Sequence, residues 1–142
     1  MLGVESRAYA LERAAPIFAE FLGAAQSTDG HHVTAPLEDG AGAARAIRQT
    51  LRRAQVLPEE VDYVNAHGTG TLANDAAEAR ALHAALGAHA ALCPVSSIKG
   101  AIGHTLGAAG AIEAVAAVLT LQSGLVPPTV GLVEPDRALG ID

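Results

Sequence analysis

The sequence predicts an α/β fold, and three observations carry that prediction. Segments with helical spacing of apolar residues alternate with short apolar runs along the chain. Half of the 142 residues are hydrophobic, enough to bury one core. Two polar, glycine-rich stretches each follow a predicted strand, and α/β sheets carry their functional groups at the carboxyl ends of strands. One domain spanning 1–142 is expected, with no internal repeat or linker.

Taken in order, residues 1–4 read as the tail of a strand, and 5–14 have helical composition closed by Pro16. Residues 17–25, with Phe18 and Phe21, read as a strand running into the turn Ser27-Thr28-Asp29-Gly30. His31 and His32 lie on a polar loop. Adjacent histidines point in different directions and suit no common metal ion. Ala44, Ile47, Leu51 and Ala54 mark one face of a helix over 43–54. After the turn Pro58-Glu59-Glu60, a strand over 61–66 delivers His67-Gly68-Thr69-Gly70-Thr71. A helix follows, with Asn74 or Asp75 as its cap, Asp75 and Glu78 at capping-box spacing, and Gly87 as its stop. Residues 93–96 read as a short strand. The lysine segment Ser96-Ser97-Ile98-Lys99 and His104 come next, followed by a long small-residue helix over 106–122. An extended segment at 126–133 and a polar loop at 134–142 end the chain.

The net charge of −6 argues against a general nucleic-acid role, which needs a basic face. Arg45, Arg48, Arg52 and Arg53 make one helix locally basic, either a solvated face or a docking patch for an acidic partner. The single cysteine, Cys93, forms no intrachain disulfide. It fits a reducing cytosol and reads as a small core residue. Residues 108–121 are strongly apolar but contain Glu113 and are short for a membrane span, so a buried helix of a soluble, cytoplasmic protein is expected.

Two imidazoles, one cation, one carboxylate and two hydroxyls form a kit for acid/base and oxyanion chemistry. His67 opens a loop whose glycines admit close ligand approach and whose Thr69 and Thr71 add hydroxyls. That pattern suits a polar tail such as the amides of a pantetheine arm. Lys99 is the only lysine, in a chain that otherwise uses arginine for its cations. Glu113 on an apolar helix is costly unless paired, and is expected to meet Lys99 or a network reaching a histidine. Ser96 and Lys99 also spell the Ser-x-x-Lys signature of penicillin-recognising hydrolases, without its companion motifs.

The run from Val64 through His67 to Thr71, with Asn74, Asp75 and Glu78, resembles the first histidine motif of β-ketoacyl synthases, the thiolase-like condensing enzymes. The run from Val95 through Lys99, Gly103 and His104 to Ala114 resembles the second, and the similarity extends to Pro127-Pro128-Thr129. The resemblance implies the C-terminal half of a thiolase-like α/β fold, with layered helices on a mostly central mixed sheet, incomplete at both ends. It implies decarboxylative Claisen condensation in fatty-acid or polyketide synthesis. In that scheme His67 and His104 act on a malonyl thioester, Lys99 and Glu113 orient and tune them, and Thr69 and Thr71 meet the pantetheine arm. No bound cofactor or metal is implied. Substrates ride on the phosphopantetheine of acyl carrier protein, and the expected partners are that carrier, the N-terminal synthase half and a dimer mate. The family's nucleophilic cysteine and its Gly-Phe-Gly-Gly loop are absent from this sequence, and Cys93 does not occupy the cysteine motif. A non-catalytic synthase-like subunit or inactive fragment is the alternative implied.

Overall fold

The computed structural model describes residues 2–141. Among the described residues, five α-helices are separated by turns and by a sheet of two short strands: α1 (Arg7–Glu12), α2 (Ala41–Ala54), β1 (Val64–Asn65), α3 (Leu72–Leu86), β2 (Val95–Ser96), α4 (Lys99–Ile102) and α5 (Ala109–Ser123). β1 and β2 pair in parallel, Val64 opposite Val95 and Asn65 opposite Ser96, with α3 in the connection between them. This is the βαβ arrangement that parallel pairing requires.

The core lies where α3 meets α2 and the sheet. Leu82, Leu86 and Ala90 are buried, and Ile47 and Leu51 of α2, Val61, Val64, Val95 and Ile141 pack against them. α2 is amphipathic. It turns Ala44 and Gly42 inward and keeps all four arginines exposed. Two further histidines fasten this core. His89 Nε2 lies 2.8 Å from the Val61 carbonyl oxygen, and His83 Nε2 lies 2.9 Å from that of Leu139.

Several expected elements take another form. Met1 lies outside the described residues, and 2–4 are not a strand. Residues 17–25 and 126–133 also form no strand. Strand geometry persists only where a neighbour accepts its ladder hydrogen bonds, and among the described residues only β1 and β2 find one. Residues 23–28 lie against α2 instead: Arg53 Nη1 donates to the Ala24 carbonyl at 2.6 Å, and Arg45 Nη2 donates to that of Thr28 at 3.1 Å. The expected basic patch therefore spends part of its donors holding a neighbouring backbone.

α3 begins earlier than expected. Thr71, not Asn74 or Asp75, is its cap, and the Thr71 hydroxyl accepts from the Asn74 N–H. Gly87 ends the helix as expected, with φ 61°. Over the long apolar helix, residues 106–108 form a 3-10 turn, α5 follows, and only Ala109 and Thr120 of α5 are buried. The expectation of a buried helix fails here because the core is built on α2 and α3, and no described element covers the outer face of α5. The stretch Leu106–Ser123 is long and apolar enough to cross a membrane by length and composition alone.

Candidate active site

β1 ends in Asn65, and the chain turns immediately into the His67 loop. α3 returns the second residue that shapes this loop. Glu78, in the second turn of α3, accepts from the His67 N–H at 2.7 Å through one carboxylate oxygen. It accepts from the Gly68 N–H at 2.8 Å through the other. Asn74 Nδ2 donates to the same carboxylate at 3.3 Å. Charge-assisted bonds from a carboxylate to consecutive backbone N–H groups are the stronger kind. Capping-box spacing assigned Glu78 to its own helix end, but its carboxylate is turned back to the strand end.

β2 delivers the second group of residues. After Ser96 the chain turns into α4, with Lys99 as its first residue. Lys99 is buried, and its ammonium pairs with the Glu113 carboxylate of α5, so the two charges expected to meet do so. Glu113 is thereby accommodated on an apolar helix, and Lys99 is no surface cation. Removing either partner of such a pair costs about 3–5 kcal/mol, because the other charge stays desolvated.

His104 sits in the turn between α4 and the 3-10 turn Leu106–Ala108, short of the start of α5. Its Nδ1 accepts from the Leu106 N–H at 3.1 Å. In the neutral ring this leaves the proton on Nε2, which becomes a donor. Leu106 has φ 51°, a left-handed conformation unusual for leucine, and it costs on the order of 1–2 kcal/mol. That strain is held in the turn that orients His104. The His67 and His104 rings meet edge to face, with centroids 5.2 Å apart.

Gly68 and Ser97 bring the two groups together. Gly68 has φ 42°, and a Cβ there would fall 2.5 Å from the Ser97 Cβ, so only glycine permits this approach of the His67 loop to the lysine turn. A cavity of about 610 Å³ opens between them. Thr69, Glu78, Lys99 and His104 are among its lining residues, together with Asp136 and Leu139 of the late segment. Thr69 lines it, whereas His67, Thr71 and Glu113 do not; His67 reaches the site through its contact with the His104 ring, and the Thr71 hydroxyl caps α3 and lies 3.1 Å from that of Thr69.

Three other sequence candidates are engaged elsewhere. The Ser96 hydroxyl lies 2.9 Å from the Tyr63 hydroxyl, while Lys99 is committed to Glu113, so the Ser-Lys contact of the hydrolase reading does not form. Cys93 is buried in the core, and burial, reinforced by Asp62, pushes its thiol pKa up, away from a nucleophilic thiolate. His32 Nδ1 accepts from the N–H groups of Thr34 and Ala35, both at 3.1 Å, and shapes its own turn.

The chain is similar to known proteins in sequence and in fold. The family described as beta-ketoacyl synthase, C-terminal domain, matches residues 18–133. The 3-oxoacyl-[acyl-carrier-protein] synthase 2 of Synechocystis sp. is 47% identical over 142 residues, all of this chain and 34% of the relative. The chloroplastic 3-oxoacyl-[acyl-carrier-protein] synthase I of Hordeum vulgare is 43% identical over 142 residues, all of this chain and 30% of its own length. Among solved structures, a type II PKS acyl-carrier protein in complex with its ketosynthase bound to the hexaketide contains a chain that matches with a TM-score of 0.93. It is 39% identical, over 97% of this chain and 34% of that one. The ishigamide ketosynthase/chain length factor matches with a TM-score of 0.89 and 42% identity, over 97% of this chain and 33% of that one. The fold is thiolase-like, and the chain spans about a third of the length of the curated relatives it matches. With the family profile covering most of its residues, the chain belongs to the β-ketoacyl synthase family, as its C-terminal domain.

Proposed function

We propose that residues 1–142 act as one domain and supply the malonyl-activating part of a cytoplasmic β-ketoacyl synthase, with the nucleophilic cysteine contributed by a complementary N-terminal part. The observation that carries this reading is the His67–His104 pair, 5.2 Å between ring centroids, with Nδ1 of His104 already occupied by a backbone N–H. Its Nε2–H is free to donate to a substrate oxygen.

In the proposed reaction, an acyl chain waits as a thioester on the cysteine. A malonyl thioester, carried on the phosphopantetheine of acyl carrier protein, binds with its thioester oxygen toward His67 and His104. The bond to its carboxylate breaks, carbon dioxide leaves, and the electron pair forms an enolate whose oxygen the two rings stabilise. The enolate carbon attacks the acyl carbonyl, a carbon–carbon bond forms, and the cysteine thiolate is expelled. Preorganised donors at a developing oxyanion typically contribute 10²–10³-fold each. Lys99 and Glu113 hold α4 to α5 and so fix the turn that carries His104. Thr69 and the N–H groups of the glycine loop suit the amides of the pantetheine arm, with Thr71 placing Thr69. Acyl carrier protein, the N-terminal part and a second synthase-like subunit are the proposed partners, in fatty-acid or polyketide assembly.

The test is co-expression with a polypeptide corresponding to the other two thirds of the relatives, followed by mass spectrometry of the carrier-bound product. A ketoacyl product is expected, and H104A should lower its rate by about 10²–10³-fold. A soluble, assembled pair that forms no acyl-enzyme and no ketoacyl product would sink the reading.

A further inference from the structure

Lys99 reaches Glu113 from a four-residue helix, too short to hold its own position. Something else must fix the turn, and the late segment 129–132 lies against it. Thr129 Oγ1 accepts the Ser97 N–H at 3.1 Å, across 32 residues of sequence. The Ser97 hydroxyl in turn accepts the Lys99 N–H at 3.3 Å. Ser97 is buried, 3% exposed, and Thr129 is half-buried. One residue beyond Lys99, Gly100 meets the same segment: a Cβ there would fall 2.0 Å from the Val130 carbonyl oxygen. The segment is itself a closed turn, with the Leu132 N–H donating to the Thr129 carbonyl at 3.2 Å.

We propose that Thr129 is a positioning residue for Lys99. Its hydroxyl, with the Val130 backbone seated on Gly100, clamps the Ser97–Gly100 turn so that the ammonium is delivered to Glu113. The inference about position stands on these contacts, and its bearing on catalysis rests on the proposed function. The clamp also accounts for a threonine in a segment that otherwise reads as apolar and extended: valine would match the shape but leave the buried Ser97 N–H without an acceptor.

Because Lys99 is the only lysine, acylation by an amine-reactive ester, followed by peptide mass spectrometry to separate it from the N-terminal amine, reads this one position. Labelling is expected to be slow in the native chain, where Lys99 is buried and paired, and E113Q, which removes the ion pair, is expected to set the fast limit. T129V is expected to speed Lys99 labelling about five- to tenfold, as expected for loss of one net hydrogen bond, while T129S, which keeps the acceptor, stays at the native rate. G100A, whose methyl group displaces Val130, should also label faster and carries the test if T129V does not fold. Native-rate labelling of T129V or G100A, or equal acceleration in T129S and T129V, overturns the proposal. None of these rates depends on condensation, so an inactive reconstituted synthase would count against the proposed function and leave the clamp standing.

Discussion

Two helices of equal length, α3 and α5, each supply one carboxylate to the site and meet opposite fates. Both have 15 residues and are rich in alanine. α3 buries Leu82 and Leu86 against α2 and the sheet. α5 is the more apolar of the two, yet it leaves Ile112, Val115, Leu119 and Leu121 exposed. Apolar composition states what a helix would gain from a neighbour. It does not state that the neighbour belongs to the same chain. The site spans this divide: His67 is tied to α3 through Glu78, whereas Lys99 is tied to α5 through Glu113.

The largest expected effect that tests this contrast is in the core. L82A should destabilise the chain by about 2–5 kcal/mol, read from urea unfolding, whereas L119A should change it by less than about 0.5 kcal/mol. Comparable losses at both positions would erase the distinction. Next in size is the tether on the α3 side. E78Q replaces two charge-assisted acceptors with one neutral one and should cost about 1–2 kcal/mol. Amide exchange at His67 and Gly68 should accelerate while the α3 core keeps its protection. Unchanged exchange at those two amides would show that the loop holds itself. The smallest effect is at Cys93. Its thiol pKa is raised in the folded state, so above the ordinary value of 9.0 the unfolded chain loses the proton first. Stability should therefore fall as pH rises past that point, and C93A should flatten the decline. An equally steep fall in C93A would assign it to other groups.

Much of the site was legible in the sequence because its determinants are local. The strand into His67, the hydroxyls and glycines of its loop, and the lysine turn before His104 are contiguous runs whose chemistry is written in adjacent residues. The Lys99–Glu113 pair was legible for another reason: one buried charge demands another, and the chain offers few choices. What was not legible depended on partners far away. Residues 17–25 have the composition of a strand, but a ladder needs a neighbour. Glu78 has the spacing of a capping box, and only the return of α3 toward the end of β1 reveals its actual acceptor role. Thr129 gives no signal of its contact with Ser97, because the two are 32 residues apart and joined only by the fold.

The two rings that meet edge to face at 5.2 Å are carried by separate supports, and the supports differ in how firmly they are held. Local opening follows local packing, so thermal fluctuation should reach the two rings unequally. The His104 side, braced by an exposed helix and a strained leucine, would open first on warming, while His67 stays anchored to the core. Alignment of the pair would then fail below the temperature at which the domain melts. The working range of the site would be set by its weaker brace, and a molecule that covered α5 would raise that range without touching either histidine.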